Sequence, residues 1–266
     1  MARRKHLLLA SFNVYGIGAR LGHLLAWLER ERPDVVALQE LKANDEAFPA
    51  AALEEAGYGA LWQGQRSWNG VALLGRGVSP QEIRRGLPGE RADRESRYLE
   101  AAVHGIVVGA LYLPNGNPQP GPKFDYKLRW MARLARHAAG LVELPHPAVL
   151  MGDFNVIPTD ADVYDPKAWR RDALIQPEVR EAWAKLLAQG WTDALATHFG
   201  EHDCPVPIGD PHVPVQHAVR ERVGERVEGV GQHHNAQVQL GCQEQRAVHA
   251  VRGAAMCGDA YAVVIA

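Results

Sequence analysis

The chain predicts an α/β layered fold, and three observations carry that expectation. Over the first two hundred residues, strand-length apolar runs alternate with stretches of amphipathic helical spacing. Several of the apolar runs end abruptly in oxygen-bearing side chains. The 266 residues are 47% hydrophobic and 23% charged with no linker-like stretch, which suits one large domain.

The elements follow in order. "KHLLLASFN" reads as a strand ending at Asn13. "RLGHLLAWLERERPD" carries Leu21, Leu24, Leu25 and Leu28 at helical spacing and stops before Pro33. "DVVALQE" is a buried strand ending at Glu40, and "NDEAFPAAALEEAG" a short helix. "GVALLGR" is a strand, and "RYLEAAVHGIVVGALYLPNG" two strands joined by a tight turn at His104-Gly105. "FDYKLRWMARLARHAAGLVEL" is a long amphipathic helix with Leu128, Met131 and Leu134 inward and its arginines outward. "HPAVLMGDFN" is a further buried strand, and "QPEVREAWAKLLAQG" a helix with Pro177 near its start.

No apolar run approaches the ~20 residues of a membrane span, and the basic-then-apolar start reads as entry into a first strand. Three cysteines, Cys204, Cys242 and Cys257, without framework spacing suit a reducing cytoplasm. A net charge of −2 decides nothing about nucleic acid, because a local basic patch and bound cations can manage phosphate charge.

Asn13, Glu40, Tyr112 with Asn115, and Asp153 with Asn155 all stand at the ends of apolar runs. If those runs lie side by side, their ends form one polar cleft at a sheet edge. Carboxylates and carboxamides are hard oxygen ligands suited to Mg²⁺ or Mn²⁺. Glu40 would hold such an ion, with Asn13 as a neutral ligand or a support. Asp153 and Asn155, two apart, share a face of an extended segment, so one could deprotonate water while the other binds a phosphate oxygen. Taken singly, each residue also has a plain reading: an Asx turn for Asp153-Asn155, a surface carboxylate for Glu40, a rim aromatic for Tyr112. Lys123, Lys127 and Arg129 would likewise be a solvated helix face.

Read in order, "SFNVYGIGAR", "PDVVALQELKA", "WNGVALLGR", "SRYLEAAV", "LYLPNGN", "KFDYKLRW" and "GDFNVIPTDADVYDP" resemble the exonuclease III family of DNA-repair nucleases, within the endonuclease/exonuclease/phosphatase superfamily. The resemblance runs from about Lys5 to Trp191. It implies a DNase I-like four-layer α/β sandwich over residues 1–202. It also implies a Mg²⁺-dependent enzyme of base excision repair; a monomer is expected separately from the resemblance. Such an enzyme cuts duplex DNA beside abasic sites and removes nucleotides from 3′ ends. On the same resemblance Glu40 and Asn13 serve the metal, together with Asp153 and Asn155. Tyr112 is the active-site tyrosine, Asp153 the base, and Asn155 the stabiliser of the transition state. Asn115 sits where the family approaches the DNA backbone, and, apart from the resemblance, Lys127 is a basic side chain expected to bind DNA. Tyr15 stands where the family commonly has a second asparagine.

The resemblance stops in residues 203–266. No Trp or Phe follows Phe199, and Leu240 is the only leucine beyond Leu195. The terminal Ser-Asp-His of the family has only "GDAYAVVIA" as an echo, with Asp259 in the aspartate's place and Ala260 in the histidine's. A shifted reading frame after about His202 is one expectation; weak or absent nuclease activity is another. The alternatives are a catalytically dead DNA-binding remnant and a phosphatase-type member of the same superfamily.

Overall fold

Two six-stranded sheets, each covered by helices on one face, organise the described part of this computed structural model, residues 6–199, 236–238, 247–252 and 261–265. Strand β1 (His6–Asn13) passes through helix α1 (Ile17–Glu31) to β2 (Val35–Gln39). Then come α2 (Ala50–Glu55), β3 (Tyr58–Gln63), β4 (Val71–Arg76), β5 (Gln81–Arg85), β6 (Tyr98–Val103) and β7 (Ile106–Tyr112). The chain continues through α3 (Pro122–Val142), β8 (Ala148–Asp153), α4 (Pro166–Trp169), α5 (Pro177–Leu187), β9 (Thr192–Asp193) and α6 (Ala194–Phe199). Three C-terminal strands follow: β10 (Ala236–Val238), β11 (Ala247–Arg252) and β12 (Tyr261–Ile265). The strand orders are β10-β11-β1-β2-β4-β3 and β5-β6-β7-β8-β12-β9.

Period-two alternation creates the layers. On one face of the first sheet Leu7, Leu9, Val35, Ala37, Val71 and Leu73 meet Leu99, Ala101, Val108, Ala110, Val149 and Met151 of the second. On the other face Ala10, Val36, Leu38, Ala72 and Leu74 pack under Ile17, Leu24, Trp27 and Leu28 of α1. The outer face of the second sheet carries Tyr98, Leu111 and Leu150 against Trp130, Met131 and Leu134 of α3 and Trp183 of α5. Three apolar layers between four layers of structure give the sandwich that the resemblance implied.

Helices α1 and α3 are crossovers: β1 and β2 run parallel, as do β7 and β8. The carboxyl ends of these parallel pairs therefore lie together at one end of their sheets. The β6–β7 hairpin turns at His104 and Gly105, both at positive φ, as a two-residue turn requires. Strands β3 and β5 are additions to the sequence reading. All of β5 is exposed, so it offers no apolar alternation to read.

Two side chains of α3 depart from expectation. Arg133 is buried, with Nη1 2.6 Å from Asp93 and Nε donating to the Pro88 carbonyl, rather than facing outward. Lys127 is fully buried, whereas Lys123 and Arg129 are exposed.

Part of the segment read as atypical pairs with the sandwich. β11 runs parallel to β1, from His6 opposite Ala247 to Ser11 opposite Arg252, and β12 runs antiparallel to β8, with Tyr261 opposite Asp153. Ladder hydrogen bonds join backbone to backbone, so strand pairing along β1 and β8 does not require the side-chain pattern the sequence lacks.

Candidate active site

The ends of the two parallel pairs converge across the sheets. Asn13 ends β1 opposite Gln39, and Tyr112 ends β7 opposite Asp153. Glu40, one residue beyond β2, has φ 51°, which turns the chain out of the sheet. From the second sheet, Tyr112 Oη donates to Glu40 Oε1 at 2.7 Å. From the first, Asn13 Nδ2 lies 3.1 Å from Glu40 Oε1 and 3.5 Å from Asp153 Oδ2. One amide thus bridges two carboxylates that stand 113 positions apart in sequence but on neighbouring strand ends. Asn13 Oδ1 meanwhile accepts the Tyr15 N–H at 3.1 Å, which fixes the orientation of the amide.

The second sheet's contribution depends on a glycine. Gly152 has φ 152°, and a Cβ there would stand 1.9 Å from the Leu111 carbonyl oxygen. Only glycine lets β8 press this close to β7 just before Asp153. Asp153 Oδ1 accepts the Asn155 N–H at 2.9 Å, so the plain Asx-turn reading also holds. That turn places Asn155 at φ 48°, with Nδ2 donating to the Leu113 carbonyl at 2.8 Å and Oδ1 accepting from Asn115 Nδ2 at 3.1 Å.

Lys127, expected to meet the DNA, is buried and ties two loops together. Its Nζ donates to the carbonyls of Pro114 and Asn115, both at 3.1 Å, and of Asn155 at 2.6 Å. It thereby fastens the "LPNG" loop to the "GDFN" turn. Gly116 makes room for it, since a Cβ there would lie 2.6 Å from Lys127 Cδ. Asn115 is exposed beside this tie, in a position to meet a ligand.

The electrostatics follow from burial. Asp153 is 1% exposed. Its carboxyl is held well above the ordinary range by burial and then by the Glu40 charge, against the Asn155 N–H that favours ionisation. Burial pushes the Tyr112 phenol well above 10, and Glu40 and Asp153 push it further, so it remains a donor across the working pH range. Burial takes the Lys127 ammonium down to about 7, with Asp153 and Asp172 pulling the other way.

Three neighbours were not singled out from sequence as site residues. Lys42 Nζ sits 2.9 Å from Glu40 Oε2. Its signal was adjacency to Glu40 in "QELK". Arg97 places its guanidinium 5.0 Å from the Tyr112 ring and donates to the Tyr112 carbonyl at 3.3 Å. Tyr15, noted only as a departure, lies with its ring 3.2 Å from Lys42 Nζ.

A hard divalent cation fits the donor chemistry here. The donors are all oxygens, two carboxylates meet at one amide, and the unfavourable charge on buried Asp153 is what a cation relieves. Among the described residues no group of three or more His, Cys, Asp or Glu converges. Asp259 and Ala260, the positions of the family's aspartate and histidine, lie outside the described residues. Among the described residues no helix is long and apolar enough to cross a membrane.

Comparison with known proteins places this geometry. A family model described as "Endonuclease/Exonuclease/phosphatase family" matches residues 10–212. Exodeoxyribonuclease III of Haemophilus influenzae is 34% identical over 196 residues, covering 70% of this chain and 73% of that protein. A solved 3′-5′ exonuclease from Neisseria meningitidis superposes with a TM-score of 0.68 at 36% identity, over 74% of this chain and 75% of that one. An AP endonuclease from Archaeoglobus fulgidus superposes with a TM-score of 0.73 at 28% identity, over 97% of this chain and 85% of that one.

Proposed function

The chain belongs to the endonuclease/exonuclease/phosphatase family, and from that premise we propose that it is an exodeoxyribonuclease III-type hydrolase. It acts on duplex DNA at abasic sites and 3′ ends, within base excision repair. The observation that carries the proposal is the Glu40–Asn13–Asp153 convergence, with Tyr112 donating into it from the opposite sheet.

The proposed roles draw on that geometry. Glu40 would hold the cation, Asn13 keeps the two carboxylates together, and Asp153 and Asn155 border the same space. When bound, Mg²⁺ or Mn²⁺ neutralises charge on the phosphodiester. Asp153 takes the proton of the attacking water, and its raised proton affinity suits it to that task. Asn155 and Asn115 each commit one Nδ2 hydrogen to the site itself, which leaves the other for a phosphate oxygen. Tyr112 stays protonated and commits its one hydrogen to Glu40 Oε1, orienting that carboxylate; it would donate to charge developing in the transition state only by exchanging this bond. Lys127 acts on the DNA indirectly, by fixing Asn115 and Asn155. The three cysteines point to a reducing cytoplasm as the place of action.

The histidine missing at position 260 bears on rate. We expect turnover ~10²–10⁴-fold below relatives that have it, and a DNA-binding protein without cleavage is the limit of that series. The test is cleavage of three ligands with Mg²⁺ and with chelator: an abasic duplex, a duplex with a recessed 3′ end, and a phosphoinositide. Cation-dependent cutting of the two DNAs alone is the expected result. Release of phosphate from the phosphoinositide alone would move the chain to the phosphatase branch.

A further inference from the structure

Two aromatic rings stand out of the surface at the mouth of this site, and the catalytic roles above leave both unused. Trp68 is 71% exposed and Tyr15 is 55% exposed. Among the other aromatic rings whose burial is described, Tyr164 is also exposed, but most are covered: Phe48 and Trp62 stack at 4.5 Å, and Phe154 packs edge-on to Trp183 at 5.0 Å. Tyr15 and Trp68 come from different loops, yet they flank one ammonium. Lys42 Nζ is 3.2 Å from the Tyr15 ring centre, 5.5 Å from the Trp68 ring centre and 2.9 Å from Glu40 Oε2.

The loops that carry these rings are held in place. Gly16 N–H donates to the Glu40 carbonyl at 2.8 Å and Ile17 N–H to the Leu41 carbonyl at 3.0 Å. Lys42 N–H donates to the Asn69 carbonyl at 2.9 Å, and Leu41 N–H to the Gly70 carbonyl at 3.2 Å. Asn69 Nδ2 is in turn bonded to Glu95. Within this lacing Tyr15 and Lys42 sit at positive φ, a cost that the surrounding bonds sustain. Strain held by hydrogen bonds, to keep two large rings in water, is better explained by a ligand than by stability.

We propose that Tyr15 and Trp68, with Lys42 between them, form a stacking platform for an unpaired nucleobase of the strand being cut. The inference rests on the phosphodiesterase reading of the adjoining site. A π-face beside a cation takes a flat, electron-rich ring, and the neighbouring carboxylates select a ligand whose phosphate is brought with a metal. Bases inside a duplex already have neighbours on both faces. The platform therefore takes a base that has lost one, at a frayed 3′ end or next to a gap, and it biases the site toward such ends.

The experiment uses the full chain and two duplexes, each with a single 3′ overhanging unit: a nucleotide in one, an abasic sugar-phosphate in the other. Affinities are read by fluorescence anisotropy in Ca²⁺. Wild type should bind the base-bearing end about tenfold more tightly. Trp68→Ala and Tyr15→Ala should erase that preference while leaving affinity for the abasic end unchanged, and Trp68→Phe should restore most of it. Equal weakening on both ligands, or none, overturns the platform. Discrimination without cleavage on adding Mg²⁺ overturns the hydrolase reading and leaves the platform standing. Cleavage without discrimination does the reverse, and absence of DNA binding removes both.

Discussion

At the floor of the site Asp153, Asn155 and Lys127 are 1%, 3% and 0% exposed, whereas at the rim Tyr15 and Trp68 stand 55% and 71% exposed. The floor is built on strand ends and a helix, and its polar groups point at one another: amide to carboxylate, ammonium to carbonyl. The rim is built on loops, and its cation is shared between a carboxylate and two rings. The difference separates two tasks. A buried floor raises the proton affinity of a base and keeps donors aligned at low dielectric. An exposed rim can grip a ligand and release it, at the cost of leaving apolar surface in water.

The contrast breaks most sharply at Asp153. Asp153→Asn should lower cleavage ~10²–10⁴-fold while stabilising the metal-free protein. A carboxyl whose folded pKa is raised contributes stability below its unfolded pKa, and that contribution is lost as pH rises toward the folded value. The amide removes this loss, so at pH 8 the variant should melt a few degrees higher (~2–4 °C per kcal/mol for a chain of this size). A variant that is both slower and less stable in calorimetry would show that the floor is not strained by its charge.

A smaller effect belongs to the internal tie. Lys127→Met leaves the buried Pro114 and Asn155 carbonyls and the half-buried Asn115 carbonyl without this donor, at a cost of ~1–3 kcal/mol. Because Asn115 and Asn155 lose their common anchor, kcat should fall about tenfold. The affinity of a short duplex should change little, as read by steady-state kinetics beside urea unfolding. A change confined to affinity would return Lys127 to the role of a DNA contact.

The rim gives the smallest effect. Lys42 occupies the Glu40 oxygen that faces the mouth of the site, in a partly exposed pair, and such pairs contribute only ~0.2–1 kcal/mol. Lys42→Met should therefore tighten Mn²⁺ binding by no more than about fivefold in a direct titration. Weaker Mn²⁺ binding would mean that the lysine supports Glu40 rather than competing for it.

Much of this architecture was legible beforehand. β1, β2, β4 and β6 to β8 could be read because a buried strand must alternate its apolar side chains between two packed faces, and polar residues at the ends of β1, β2, β7 and β8 pointed to the candidate site. β5 could not, since an edge strand exposed along its whole length has no such constraint. Lys127 carried a signal that was not used. It lies on the stripe Phe124, Met131, Leu134 and Ala138, at spacings of three and four, where a helix buries its side chains. Arg133 had no comparable mark, because its burial depends on Asp93 in a distant loop.

By itself the sequence determined the layers, the order of the strand ends and the kinds of oxygen donor they carry, because these follow from local periodicity and side-chain chemistry. Only the tertiary structure decided which donors face one another. Tyr112 reaches Glu40 across two sheets, and Asn13 bridges carboxylates from both. It also decided that β11 aligns beside β1 and β12 beside β8, with β10 added outside β11. The reason is that pairing between sheets and strands is set by packing distance and backbone hydrogen bonding between residues far apart in the chain, and no local pattern encodes either.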